Sequence, residues 1–180
     1  MIIDQVVECL MPYKGDHRRL SSEDLTHGNV SQRQEEFSMR LVREWLERCP
    51  RTSIYSQDPP QLNGYTLERS AQGILVKDGV RSVHEFDLFA TYDLGNGDEK
   101  GYPLIVEVKS LKLNGLTRKI PRALEIGREL FDTDDIGMLI FMPFYTNRQL
   151  EIAELQQHPG VRCVDLGYKK KRLKDICKAD

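Results

Sequence analysis

The sequence predicts an α/β fold in which helices flank a central mixed β-sheet. Three observations carry that expectation. Apolar residues recur at helical spacing over 31–49 and again over 120–131. Between these stretches lie short strand-like runs, punctuated by Asp78-Gly79 and by the glycine-rich stretch 94–101. Gly137 to Pro143 is an unbroken apolar run of strand length, the pattern of a strand covered on both faces.

Each element has its own justification. Ile2 to Met11 reads as a short helix packed on the body, and Pro12 to Asn29, with Lys14-Gly15-Asp16 and His27-Gly28-Asn29, as loop. Ser31 suits an N-cap with Gln34 as its capping-box partner, and Pro50 ends that helix after Cys49. Phe37, Leu41, Val42, Trp45 and Leu46 form its apolar stripe. Arg51 to Asn63, with Pro59-Pro60, reads as linker. Tyr65 to Arg69 is a predicted strand; Gly73 to Lys77 and Val80 to Tyr92 make a hairpin across Asp78-Gly79; Pro103 to Ser110 follows the glycine-rich turn. After a basic loop, Lys112 to Lys119, the residues Ile120, Ala123, Leu124, Gly127, Leu130 and Phe131 mark a helix face, with Pro121 in its first turn. A helix from Asn147 to about Gln157, a strand from Val161 to Leu166 and a basic tail, Lys169 to Arg172, complete the chain. The order condenses to αβββαβ followed by a further helix and strand.

Composition narrows the function classes. A chain of 180 residues is expected to form a single domain over 1–180, large enough to bury a core. The formal net charge of -2 gives no global attraction to polyanions, so any nucleic-acid surface must be local. Cys9, Cys49, Cys163 and Cys177 form no CxxC pair, and the four histidines show no HExxH spacing, which argues against a zinc site. The cysteines read as free thiols in a reducing compartment. There is no basic-then-apolar leader and no apolar run near the roughly 20 residues that span a bilayer. A soluble cytoplasmic protein without a membrane partner is therefore expected.

The stretch from His84 to Ser110 raises the functional question. It places Glu85 and Asp87 inside one apolar run and Glu107 and Lys109 inside another, where an unpaired charge is costly. Strand alternation puts Glu85 and Asp87 on one face, and Glu107 and Lys109 on one face of the next strand. If the two strands pair, Asp87 and Glu107 converge beside Lys109. Two close carboxylates raise each other's pKa, and a divalent cation relieves that repulsion. Oxygen ligation by carboxylates and a backbone carbonyl suits magnesium or manganese. Spacing alone says little, because Asp98-Glu99-Lys100 has the same acid-x-lysine spelling in a glycine-rich turn. A structural Glu-Lys or Asp-Lys salt bridge is the plain alternative. His84 reads as a packed core histidine, and Leu94-Gly95-Asn96-Gly97 lies between strands, a poor place for a phosphate loop.

The residues "EFDLF", "LIVEVKS" and "IGMLIFM", with a helix between the last two, resemble the PD-(D/E)xK, restriction-endonuclease-like nuclease superfamily. The resemblance implies a core over 31–143, with 1–30 as an N-terminal extension and 144–180 as a C-terminal helix, strand and basic tail. It implies Mg2+- or Mn2+-dependent endonucleolytic hydrolysis of nucleic acid, with DNA ranked ahead of RNA. Carried over, Asp87 matches the aspartate of the second core strand, and Glu107 and Lys109 match the E-x-K of the third. Asp87, Glu107 and the Val108 carbonyl would hold the metal, and Lys109 would align the attacking water. A glutamate from the first helix completes the set, and the helical wheel favours Glu35 over Glu36. Phe86 stands where the family motif has proline, and no Q-x-x-x-Y motif follows. Arg118, Lys119 and Arg122 stand near the start of the second helix, where cations oppose the helix dipole, and are candidates for phosphate contact. A homodimer is compatible with cutting two strands, though no interface is readable. The alternatives are an inactive module of the same fold that binds nucleic acid or protein, and an unrelated α/β small-molecule binder.

Overall fold

The computed structural model describes residues 1–13, 30–55, 61–70, 73–97, 99–109, 113, 115–144 and 148–168. Four helices, α1 (Ile2–Leu10), α2 (Val30–Arg48), α3 (Leu116–Phe131) and α4 (Gln149–Leu155), accompany nine strands among these residues. The strands are β1 (Thr52–Ile54), β2 (Gln61–Leu62), β3 (Tyr65–Arg69), β4 (Ile74–Asp78), β5 (Arg81–Phe86), β6 (Leu88–Tyr92), β7 (Tyr102–Val108), β8 (Gly137–Phe144) and β9 (Val161–Tyr168). The main sheet runs β1-β6-β7-β8-β9. Its β1–β6 and β6–β7 pairs are antiparallel and its β7–β8 and β8–β9 pairs parallel, so the expected mixed sheet is present. Strands β2 to β5 form a second, antiparallel sheet. Most of the expected loop 12–29, part of the basic loop and the basic tail lie outside the described residues.

Alternation along β7 feeds two cores. Leu104 and Val106 pack with Leu41, Trp45 and Leu46 of α2, while Ile105 faces Ile120, Leu124 and Ile126 of α3. Trp45 meets Phe141 edge to face at 5.3 Å. Truncating an aromatic in such a core costs about 3–5 kcal/mol. Helix α3 lies very close to the sheet at Gly127, where a Cβ would stand 2.7 Å from the Ile105 side chain and 2.8 Å from that of Ile136. The second sheet adds Leu67, Ile74, Val76 and Phe86 to the α3 side.

Several local expectations need correction. The stretch read as linker contains β1, an edge strand of the main sheet, and β2. Strands of two or three residues carry no readable period. Asn63 (φ 48°) and Gly64 (φ 86°) turn β2 into β3, an Asn-Gly hairpin at the end of the stretch read as linker. The β4–β5 turn is Gly79-Val80, one residue later than Asp78-Gly79, with Asp78 paired to Arg81. Ser31 lies inside α2 and is not its N-cap. Helix α3 starts at Leu116, so Pro121 stands in its second turn, and the Thr117 carbonyl loses its helical donor. The largest difference concerns Val80 to Tyr92. It is not one strand: it breaks at Asp87, with β5 in the second sheet and β6 in the main one. No helix among the described residues is long and apolar enough to cross a membrane.

Candidate active site

The break at Asp87 builds the site. In β6–β7 pairing Leu88 is opposite Val106, and the ladder ends there because the chain turns away at Asp87. Backbone groups of successive strand residues point to opposite neighbours. The Lys109 N–H reaches across to the Phe141 carbonyl of β8 at 2.8 Å, so the Val108 N–H points the other way, toward the break. A buried N–H needs a partner, and the Asp87 carboxylate supplies it: Val108 N donates to Asp87 Oδ2 at 2.6 Å. The same alternation turns the Val108 carbonyl toward the break. Asp87 is thus held by the backbone vacancy that it creates.

Glu107 and Lys109 share the face of β7 on which Asp87 stands. Lys109 Nζ lies 2.8 Å from Glu107 Oε2 and 3.8 Å from Asp87 Oδ2, so one ammonium touches both carboxylates. Glu107 is the only charged side chain buried among the described residues, at 7 % exposure. Burial first, and then the charge of Glu107, push the Asp87 carboxyl up to about 6, against the pull of Lys109 and the Val108 N–H. Burial works against the Lys109 charge. The Glu107 and Asp87 carboxylates and the hydrogen bond to Glu107 outweigh it, and the ammonium is held above its ordinary 10.5. The group stands at the carboxyl end of β7, where open α/β sheets place their ligands.

The other candidates are placed as follows. Glu35 is exposed near the start of α2, and its charge is among those that raise Lys109. Glu36 instead pairs with Arg40 at 2.7 Å. Arg118, Lys119 and Arg122 are all exposed on the first two turns of α3, which carries no acid in its first turn. Arg122 is paired with Glu125 at 2.6 Å. His84 is half-buried and lies 4.3 Å from the Phe86 ring, centre to centre. Burial, then the nearby charges of Lys119 and Arg122, hold it below its ordinary 6.5, so it is neutral at pH 7. Those two cations therefore act on His84 of β5. Glu85 is exposed and accepts a hydrogen bond from the Ser70 hydroxyl.

Sequence reasoning missed two supports. Gly73 presses on the break itself, where a Cβ would lie 2.1 Å from the Phe86 carbonyl oxygen and 3.0 Å from the Asp87 Cα. Ser70 ties this turn together: its N–H donates to the Gly73 carbonyl and its hydroxyl accepts from the Gly73 N–H, both at 2.9 Å. Nothing local in the sequence signals a contact between residues 13 apart. Gln34, read from the sequence as a capping-box partner, is buried at 6 % exposure and falls inside the apolar stripe of α2.

Two carboxylates and a backbone carbonyl give an all-oxygen donor set suited to a hard divalent cation. No three His, Cys, Asp or Glu side chains converge into a metal-holding group among the described residues. Comparison with protein-family models, with curated proteins and with solved structures gives no match.

Proposed function

We propose that this protein is a magnesium- or manganese-dependent nuclease of the restriction-endonuclease-like type, cutting phosphodiester bonds within nucleic acid, DNA ahead of RNA. The observation that carries this reading is the meeting of Asp87, Glu107 and Lys109 at a strand break, with Asp87 held against its own ionisation by burial and by Glu107. Repulsion that one lysine relieves only in part is a feature of sites that take a cation, so the residues fit magnesium.

Asp87, Glu107 and the Val108 carbonyl would hold the ion. Magnesium, when bound, supplies charge neutralisation at the phosphate under attack. Lys109, kept protonated by its neighbours, acts as a hydrogen-bond donor that orients the attacking water and stabilises developing negative charge. Glu35 would help to orient that water. Lys119 and Arg122, with Arg118 beside them, would take backbone phosphates and position the substrate without reading its sequence.

A second reading rests on the same ion pair. Lys109 already pairs with both carboxylates and offsets one of their two charges, so the cluster is partly satisfied without a cation. That would suit an inactive module that binds nucleic acid or a protein. Purified protein incubated with plasmid, single-stranded DNA and structured RNA, with magnesium, manganese or chelator, separates the two. Cleavage that needs the metal and is lost in Asp87→Asn supports the nuclease. Binding without cleavage under every metal supports the module.

A further inference from the structure

A second cluster, apart from Asp87, Glu107 and Lys109, brings the ends of two helices together at sulfur. Cys9 lies in the last turn of α1, and Cys49 directly follows α2. Their Sγ atoms are 2.8 Å apart. That is closer than two sulfur atoms rest without bonding, and less than an ångström beyond the bonded separation of about 2.0 Å.

The approach is imposed from both sides. Cys49 is fully buried, and its backbone is held by the turn that follows α2. Its N–H donates to the Leu46 carbonyl at 3.2 Å, and its own carbonyl accepts from Thr52 N at 3.0 Å and the Thr52 hydroxyl at 3.1 Å. Helix α1 is anchored without the sulfurs. Ile3, Val6 and Leu10 are fully buried, and Asp4 pairs with Arg162 of β9 at 2.7 Å. Two separately fixed backbones therefore present the thiols to each other. Cys163 is part-buried on β9 and belongs to the core on the other face of the main sheet.

We infer that Cys9 and Cys49 are a disulfide-forming pair, oxidised by a small-molecule disulfide, that clips α1 onto α2. The half-exposed Cys9 thiolate attacks one sulfur of the reagent and releases one molecule of thiol, leaving a mixed disulfide on Cys9. The Cys49 thiolate then attacks the Cys9 sulfur, the mixed disulfide bond breaks, and a second thiol leaves. The two protein thiols lose one electron each, the reagent disulfide gains both, and the two protons end on the released thiols. Burial, then the hydrogen bond to Cys49, push the Cys9 thiol up to about 11. Little thiolate is present at neutral pH, so the step is slow. The pair is a structural clip, not a fast sensor.

The full chain, purified reduced, is incubated with oxidised glutathione and digested without reductant. The expected product is a linked Cys9–Cys49 peptide two hydrogens lighter than its reduced parts. The oxidised protein should melt about 10 °C higher, because a closed loop of this length restricts the unfolded chain. Dithiothreitol should reverse both changes. Cys9→Ser should show neither, while melting within a few degrees of the reduced parent. Peptide mapping of the unmutated protein decides the matter even if that variant folds poorly. Glutathione left on Cys9 alone, or links that use Cys163 or Cys177, would overturn the pairing. A linked protein that melts no higher would overturn the clip.

Discussion

Two stretches of this chain spell acid-x-lysine, and they stand in opposite surroundings. Asp98-Glu99-Lys100 falls in a glycine-rich turn where Glu99 and Lys100 are exposed. Glu107-Val108-Lys109 ends a strand buried on both faces, beside a break that leaves a backbone N–H for Asp87 to take. In the turn, water reaches Glu99 and Lys100, and an ion pair between exposed groups is worth little. At the end of β7 each charge has lost much of its water, and the carboxylates act on one another. The spelling is shared; the chemistry belongs to burial and to the neighbouring strand.

The comparison can be broken most forcefully at the lysines. Lys109→Ala should lower cleavage by about 10²–10³-fold, the loss typical of one charge-stabilising donor. It should also cost about 2 kcal/mol at neutral pH by leaving Glu107 without its cation, less than for a fully buried pair because Lys109 keeps some solvent. Lys100→Ala should change cleavage less than twofold and stability by under about 0.5 kcal/mol. Cleavage rates and urea melts of the two variants, measured side by side, would test the contrast. Equal effects would erase it.

Asp87→Asn should sharpen the contrast through pH. The folded protein holds the Asp87 proton up to about 6, against an ordinary 3.8. A raised acid pKa favours folding fully below the ordinary value, and that contribution is lost as pH rises through about 6. Asparagine keeps an oxygen for the Val108 N–H and carries no charge. Metal-free Asp87→Asn should therefore be more stable than its parent by about 1–3 kcal/mol at pH 8, and the gain should vanish near pH 4. A variant less stable at pH 8 would show that the Lys109 pairing outweighs burial.

Glycines extend the same test. Gly73→Ala drives a methyl into the Phe86 carbonyl at the break, and should cost about 1–3 kcal/mol and weaken the magnesium response. At Gly97, in the turn, a Cβ meets nothing within 4 Å, and only the positive φ of 81° resists substitution. Gly97→Ala should cost about 1 kcal/mol and leave the magnesium response intact. Thermal melts with and without magnesium measure both. The smallest effect is expected on α2. Glu35→Gln should slow cleavage several-fold at saturating magnesium, and Glu36→Gln, whose parent side chain pairs with Arg40, should not.

Much of this was legible because burial leaves marks in sequence. Charges at 87, 107 and 109 inside apolar runs announced an electrostatic cluster, and strand alternation put Glu107 and Lys109 on one face. The α/β class followed from periodicity and from the unbroken run at β8. The break at Asp87 was not legible. Phe86, Leu88 and Phe89 are all buried, but Phe86 belongs to the second sheet, while Leu88 and Phe89 face opposite sides of the main one. A strand that changes sheets reads as one long apolar run. Gly73 was hidden for another reason: its role is a contact across space, with no local signature. The Cys9–Cys49 approach, across 40 residues of sequence, was hidden in the same way.

The central claim is that Asp87 and Glu107 together hold a divalent cation. The magnesium-induced shift in melting temperature, followed from pH 5 to pH 8, tests it most directly. A ligand that binds only the folded state raises the melting temperature, and a carboxylate must lose its proton to bind metal. The shift should be clear at pH 7.5. At pH 5 the apparent affinity should be about tenfold weaker, because Asp87, with its pKa near 6, is mostly protonated there. The shift should be absent from Asp87→Asn at every pH. A shift of equal size in Asp87→Asn, or none at any pH in the unmutated protein, would contradict the account.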